Sequence, residues 1–226
     1  MSDASDSLTA DGACVVRRVV SAADVAAVAA EFLDDFRAEA GVRGVDRQSR
    51  AGRLIASDGA LGRLANALSG RPMRPIRVVR FDKTAATNWM VPWHQDRTIA
   101  VTRRIDVEGF GPWTVKDGVA HVEPPVALLA EMLTLRLFVD ACGAGQGPVK
   151  VALGSHRLGR VSAAEAAAKA RAAPVLTATG EAGDVLAMRL LALHASARSA
   201  SDAPRRVLHV DYAGADLPPP LTWAAC

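Results

Sequence analysis

A chain of 226 residues, half of them apolar, has enough material for one globular domain with a sizeable core. Its net charge of +3 comes from 27 basic and 24 acidic residues spread along the chain, without the clustered basic stripe that nucleic acid requires. No apolar run is long enough for a membrane helix, and the opening MSDASDSLTADGA has neither the basic nor the apolar region of a signal peptide, so a cytoplasmic protein is expected.

The first predicted element is a helix in SAADVAAVAAEFLDDFRAEAG. Ser21 with Asp24 gives a capping-box-like start, Val25, Val28, Phe32 and Phe36 recur at helical spacing, and Gly41 is a natural stop. A second helix follows in SDGALGRLANALSG, with Leu61, Leu64 and Leu68 on one side and Gly70 after it. Beyond about residue 72 the texture changes to short β-rich runs: RPIRVVRFDK, TIAVTR, LTLRLFVD, PVKVALG, DVLAMRL, LALHAS and RVLHVDYA. GFGPWTVKDGVAHVEPP between them reads as a long polar loop of the kind that covers a pocket. The Ala-rich 162–173 segment is a helical insertion. There are no internal repeats. The expected fold is α+β and mainly β: a jelly roll over about 73–226 with helical supports over about 1–72, together a single domain spanning 1–226. Cys14, Cys142 and Cys226 have no zinc or redox spacing and read as inert free thiols.

The segment NWMVPWHQDRTIAV concentrates two of the four tryptophans and a His-x-Asp triplet. Pro92 argues against a helix, so the stretch is extended, and His94 and Asp96 then share one face while Gln95 points away. One imidazole and one carboxylate are two thirds of a metal site. Four other histidines could supply the third ligand. His121 and His156 lie in Gly- and Pro-rich loops, and His209 lies within a strand. His194 ends an apolar run, at a strand end where a barrel opens, and is the best placed.

HQD, then a distal His, then Ser and Arg in HASARSASDAPRR resemble the phytanoyl-CoA dioxygenase family of non-haem Fe(II)/2-oxoglutarate oxygenases. FDKTAATNWMVPWHQD, LRLFVDACGAGQGPVKVALGSHRLG and GDVLAMRLLALHAS extend the resemblance over about residues 74–212. It implies a cupin-like double-stranded β-helix and a metal held by His94, Asp96 and His194. It assigns the distal carboxylate of 2-oxoglutarate to Arg205 and Ser196, and co-substrate lining to Gln95 and Trp113, with Val79 a weaker candidate by position. It implies Fe(II), 2-oxoglutarate and O2 as cofactor and co-substrates, with ascorbate as a stimulant. Family halogenases replace the metal-binding Asp with a small residue. Asp96 is present, so hydroxylation of a small organic molecule is expected, with succinate as co-product. The chain departs from the family around Ala197, Arg198 and Ser199 and carries no strong coenzyme A signature, which favours a small metabolite over an acyl-CoA.

The residues leave other assignments open. His94 and Asp96 alone could be a hydrogen-bonded strand pair, and the whole chain a cupin-like metal- or ligand-binding protein without turnover. His209-Val210-Asp211 is a second His-x-Asp, read as pocket lining or a satisfied polar pair. Arg136, alternating with Leu135 and Leu137, either anchors an acidic substrate or pairs with an acid such as Asp140. Trp89 and Trp93 wall the pocket or pack as core, Trp89 being the substrate-contact candidate. Lys83 is expected to be exposed.

Overall fold

The structure, a computed structural model, describes residues 2–35, 41–83, 88–201 and 203–224. Its frame is set by the central strands β3 (Arg74–Lys83), β8 (Leu133–Phe138), β11 (Val185–Arg189) and β13 (Arg205–Ala213). In β8 and β13 one parity is almost purely apolar and the other carries charge, whereas β3 carries charge on both. Leu133, Leu135, Leu137, Leu208, Val210 and Tyr212 join Val78, Val185 and Ala187 in one buried cluster. The opposite parity carries Arg77, Arg136, Arg205 and His209 into the interior cavity.

Helices cover the apolar face. These are α1 (Ser2–Ala10), α2 (Ala22–Asp35), α3 (Arg50–Ile55) and α4 (Ala60–Ser69), which contribute Leu8, Val25, Val28, Phe32, Leu54, Leu61 and Leu64 to the same cluster. Each fully buried Leu contributes about 1.5–3 kcal/mol, so this layer is a large share of the fold's stability. Ser21 caps α2 by accepting from Asp24 N at 3.2 Å, as its spacing predicts. Gly70 ends α4 at φ 69°, in the left-handed region that favours glycine. Gly41, expected to stop the first helix, instead opens β2 (Gly41–Arg43), and Phe36 lies outside the described residues. The sequence reading also missed α1, α3 and β1 (Ala13–Val16), so the N-terminal part supplies both edge strands of the main sheet as well as its helices.

The main sheet is six-stranded and antiparallel, in the order β1-β11-β8-β13-β3-β2. A four-stranded sheet holds β10 (Val175–Ala178), β9 (Val149–Ala152), β12 (His194–Ser196) and β4 (Val91–His94) in that order. Val149 and Val151 of the smaller sheet pack against Leu186, Met188 and Phe138 of the larger, so the two inner faces share a core. This is the jelly-roll arrangement expected from the sequence. α6 (Ala163–Arg171) is the anticipated helical insertion, capped by Ser162. Its Ala166 and Ala170 pack with Ala152, Leu193 and Trp93 against the smaller sheet.

The segment 109–125 is not a pocket-covering loop. It forms a hairpin of β6 (Trp113–Lys116) and β7 (Val119–Val122), joined to β5 (Ile99–Val101) in a three-stranded sheet. Asp117 and Gly118 turn the hairpin with φ of 49° and 76°, both positive as in a type I′ turn. The Asp-Gly pair between alternating residues carried that information. His121 therefore lies in a strand rather than a loop. The short α5 (Val126–Ala130) leads into β8.

Candidate metal centre and its cavity

β4 and β12 are antiparallel neighbours, and their register sets His94 opposite His194 with ring centroids 4.2 Å apart. The ladder is irregular here, so Val91 and His94, three residues apart, both face the cavity. Asp96 lies two residues past the end of β4 on the same side. Ligand atoms of His94, Asp96 and His194 all come within 4.8 Å of one another. Each imidazole is fixed by a carbonyl two residues back: His94 Nδ1 donates to Pro92 O at 2.9 Å, and His194 Nδ1 to Ala192 O at 3.0 Å. A carbonyl only accepts, so Nδ1 carries a proton in each ring and Nε2 is the nitrogen left for a metal. Burial pushes His194 down to about 4, against the opposing pull of Asp96, which keeps it neutral at physiological pH. For Asp96, burial acts to raise the pKa. Arg77, at 3.8 Å, and then the surrounding histidines outweigh it and hold the carboxyl well below the usual range.

A buried polar chain supports Asp96. Arg77 pairs with Asp211 at 3.1 Å, and Thr134 donates to Asp211 at 2.7 Å. Arg136, a donor only, gives a hydrogen bond to His209 Nδ1 at 2.7 Å. The proton of neutral His209 therefore sits on Nε2, which donates to Asp211 at 3.0 Å. The second His-x-Asp is thus both cavity lining, through His209, and a satisfied pair. Arg136 does not pair with Asp140, which holds Arg206 through two side-chain hydrogen bonds at 2.9 and 2.7 Å.

The cavity, about 150 Å³, is lined from both sheets, and Arg205, Ser196 and Val149 share its wall with the three candidate ligands. Arg205 is buried, its Nη1 donates to Gly147 O, and its Nε has no hydrogen-bond partner among the described residues. Gly147 must be small. At φ 62°, a Cβ there would lie 2.5 Å from Ala197 O. Arg206, next in sequence, faces the helices and donates to Ala29 O. Lys83, opposite Arg205 in the ladder, is fully buried rather than exposed. Its ammonium donates to Ala197 O at 2.9 Å and lies 4.9 Å from the Trp89 ring centre.

Two sequence-predicted residues lie elsewhere. Gln95 is buried outside the cavity, and its amide is fully used: it donates to Gly159 O and Leu191 O at 2.8 Å each and accepts from Val161 N at 2.9 Å. The alternation that brings His94 and Asp96 together turns Gln95 away. Trp113 packs with the three-stranded sheet's core, beneath Arg104. Trp89 lines the cavity and Trp93 packs against α6. The sequence reading overlooked Arg77 and Phe81. Both share strand parity with Lys83, but this strand carries charge on both parities, so alternation alone did not single them out.

The phytanoyl-CoA dioxygenase family profile matches residues 8–207. The chain belongs to the phytanoyl-CoA dioxygenase family. It is therefore a non-haem Fe(II)/2-oxoglutarate-dependent enzyme, and the His-Asp-His cluster suits its metal. No match is found among curated proteins. Among solved structures, the non-heme α-ketoglutarate dependent carbocyclase SnoK from nogalamycin biosynthesis superposes with a TM-score of 0.72 at 18% identity, covering 96% of this chain and 85% of that one. AviO1 from Streptomyces viridochromogenes Tue57 gives 0.67 at 21%, covering 96% of both chains. EctD from S. alaskensis with 2-oxoglutarate and 5-hydroxyectoine gives 0.70 at 18%, covering 95% and 76%. At these identities the likeness establishes the shared fold. No helix among the described residues is long and apolar enough to cross a membrane.

Proposed function

We propose that this family member hydroxylates a small organic molecule, with His94, Asp96 and His194 holding Fe(II), Arg205 and Ser196 holding the distal carboxylate of 2-oxoglutarate, and the whole chain acting as one catalytic domain. The observation that carries the reading is one cavity with a three-ligand cluster beside an arginine whose buried Nε lacks a partner. Two neutral imidazoles and one carboxylate suit Fe(II) and leave coordination positions for other ligands. A planar guanidinium suits a carboxylate bidentately, which a lysine cannot match. A metal-binding cupin without turnover has no need of that second feature.

When bound, Fe(II) with 2-oxoglutarate and O2 supplies the oxidation of a C–H bond, with loss of CO2 and formation of succinate. The chain's own part is positioning. The carbonyls of Pro92 and Ala192 orient the two imidazoles, Arg77 keeps Asp96 ionised, and Phe81, Trp89 and Val149 keep the cavity wall apolar. Relatives in the same fold include an epimerase and a carbocyclase. The presence of Asp96, which fills the position that halogenases leave open, supports hydroxylation here.

Anaerobic addition of Fe(II) and 2-oxoglutarate is expected to produce the weak visible charge-transfer band of a chelated 2-oxo acid. Substrate-dependent succinate release across small acids and amino acids, with the product's mass raised by one oxygen, tests the outcome. No band, together with no iron-dependent 2-oxoglutarate binding by calorimetry, overturns the assignment. A product of unchanged oxygen content overturns hydroxylation alone.

A further inference from the structure

The cavity's charges leave one cation over, and this inference rests on the metal and co-substrate reading above. Fe(II), Arg77 and Arg205 bring four positive charges, and dianionic 2-oxoglutarate, Asp96 and Asp211 bring four negative ones, with Arg77 3.1 Å from Asp211 and 3.8 Å from Asp96. Metal-bound imidazoles are neutral. His209 is neutral as well, since its Nδ1 accepts from Arg136. Arg136 remains. It is buried, it lines the cavity, and among the described residues no carboxylate pairs with it. Its hydrogen bond goes to a neutral ring, and its guanidinium carbon lies 5.4 Å from the Phe81 ring centre. A buried, uncompensated charge is costly and is kept where something pairs with it. Lys83 is not among the residues that line the cavity, and its ammonium donates to Ala197 O, so it is not counted with the cavity's charges.

We propose that Arg136 anchors an anionic group of the prime substrate, so that the enzyme acts on a small organic carboxylate whose apolar body lies against Phe81 and Trp89. Both rings line the cavity, 6.2 Å apart between centres, and Arg136 stands over Phe81. The wall thus offers a cationic point beside an aromatic surface, the pairing an aryl or alkyl carboxylic acid satisfies. The main competing role for Arg136 is a second grip on 2-oxoglutarate, and the experiment separates the two.

Wild-type protein loaded anaerobically with Fe(II) and 2-oxoglutarate is titrated with matched acids and amides: phenylacetate and phenylacetamide, 3-phenylpropionate and its amide, hexanoate and hexanamide. Binding is read by calorimetry and by perturbation of the charge-transfer band. At least one acid is expected to bind about tenfold or more tightly than its amide, the scale of a charge-assisted contact. Arg136→Gln is expected to abolish that preference and Arg136→Lys to keep part of it, while 2-oxoglutarate affinity stays within about threefold in both. The proposal is overturned if no acid outbinds its amide, if the preference survives in Arg136→Gln, or if that variant loses 2-oxoglutarate as severely as Arg205→Ala. Wild-type protein that binds no Fe(II) and 2-oxoglutarate at all fails at the earlier step and refutes the metal-site reading itself.

Discussion

Asp96 holds its charge because Arg77 and the histidines around it outweigh the effect of burial, and Asp211 keeps Arg77 in place. Asp96→Ala removes the anionic ligand and should abolish hydroxylation and weaken metal binding, whereas His209→Ala should retain the metal in full. Metal analysis of the two purified variants decides this, and iron lost only from His209→Ala would show that the wrong His-x-Asp pair had been assigned. Arg205 and Arg206 form a second contrast, since neighbours on a strand face opposite ways. Arg205→Ala should weaken 2-oxoglutarate binding by roughly 2–4 kcal/mol, while Arg206→Ala should leave it within a few-fold because its partner is Asp140. Lys83 gives a pH prediction. Burial, then Arg205 and Arg136, lower its ammonium to about 8, against about 10.4 in an unfolded chain. Between those values the unfolded state binds the proton and the folded state does not, so this group makes stability rise with pH. Lys83→Met should flatten that rise, by at most about 3 kcal/mol, in denaturant titrations at pH 7 and pH 10. An unchanged pH slope would mean that Lys83 is solvated in solution.

At the scale of elements, strand alternation separates support from chemistry. Leu135 and Leu137 bind the helical layer, while Arg136 between them faces the cavity. Leu135→Ala should therefore cost about 2–5 kcal/mol of stability with little change in the 2-oxoglutarate affinity of the folded fraction. Gln95 acts differently. It ties the link between His94 and Asp96 to Gly159, Leu191 and Val161. Gln95→Leu strands two carbonyls and one N–H, and should cost roughly 2–4 kcal/mol by denaturation. Because that link joins two ligands, Mn(II) affinity should fall as well. Stability lost with Mn(II) affinity intact would confine Gln95 to a structural role. The extent to which these elements were legible varied with how local their cause was. β3 was readable residue by residue as RPIRVVRFDK, whereas β1 and β2 are short edges that exist because β11 and β3 offer them a partner. The 109–125 hairpin was misread although its Asp-Gly turn was in plain view.

For the whole molecule, the cavity joins both sheets, so a ligand that fills it resists unfolding of the entire jelly roll. A ligand at about 100 times its dissociation constant stabilises by about 2.7 kcal/mol. In a chain of this size that corresponds to a Tm increase of about 5–10 °C for Mn(II) with 2-oxoglutarate over the metal-free protein. The increment due to 2-oxoglutarate should vanish in Arg205→Ala while the Mn(II) increment remains. A full shift in that variant would place the co-substrate's distal carboxylate elsewhere.

The sequence by itself determined what depends on neighbours in the chain: the β-rich body, the capped helices at Ser21 and Ser162, the shared face of His94 and Asp96, and the order of the residues that mark the family. Tertiary structure decided what depends on partners far along the chain. His94 and His194 are a hundred residues apart and meet because β12 pairs with β4. Lys83 is buried because the 197 backbone closes over it, and Trp113 left the expected pocket because its hairpin found a core of its own. Periodicity fixes which way a side chain points from its own strand. Only the pairing of strands fixes what it then faces, because that pairing is set by the burial of the whole apolar surface at once.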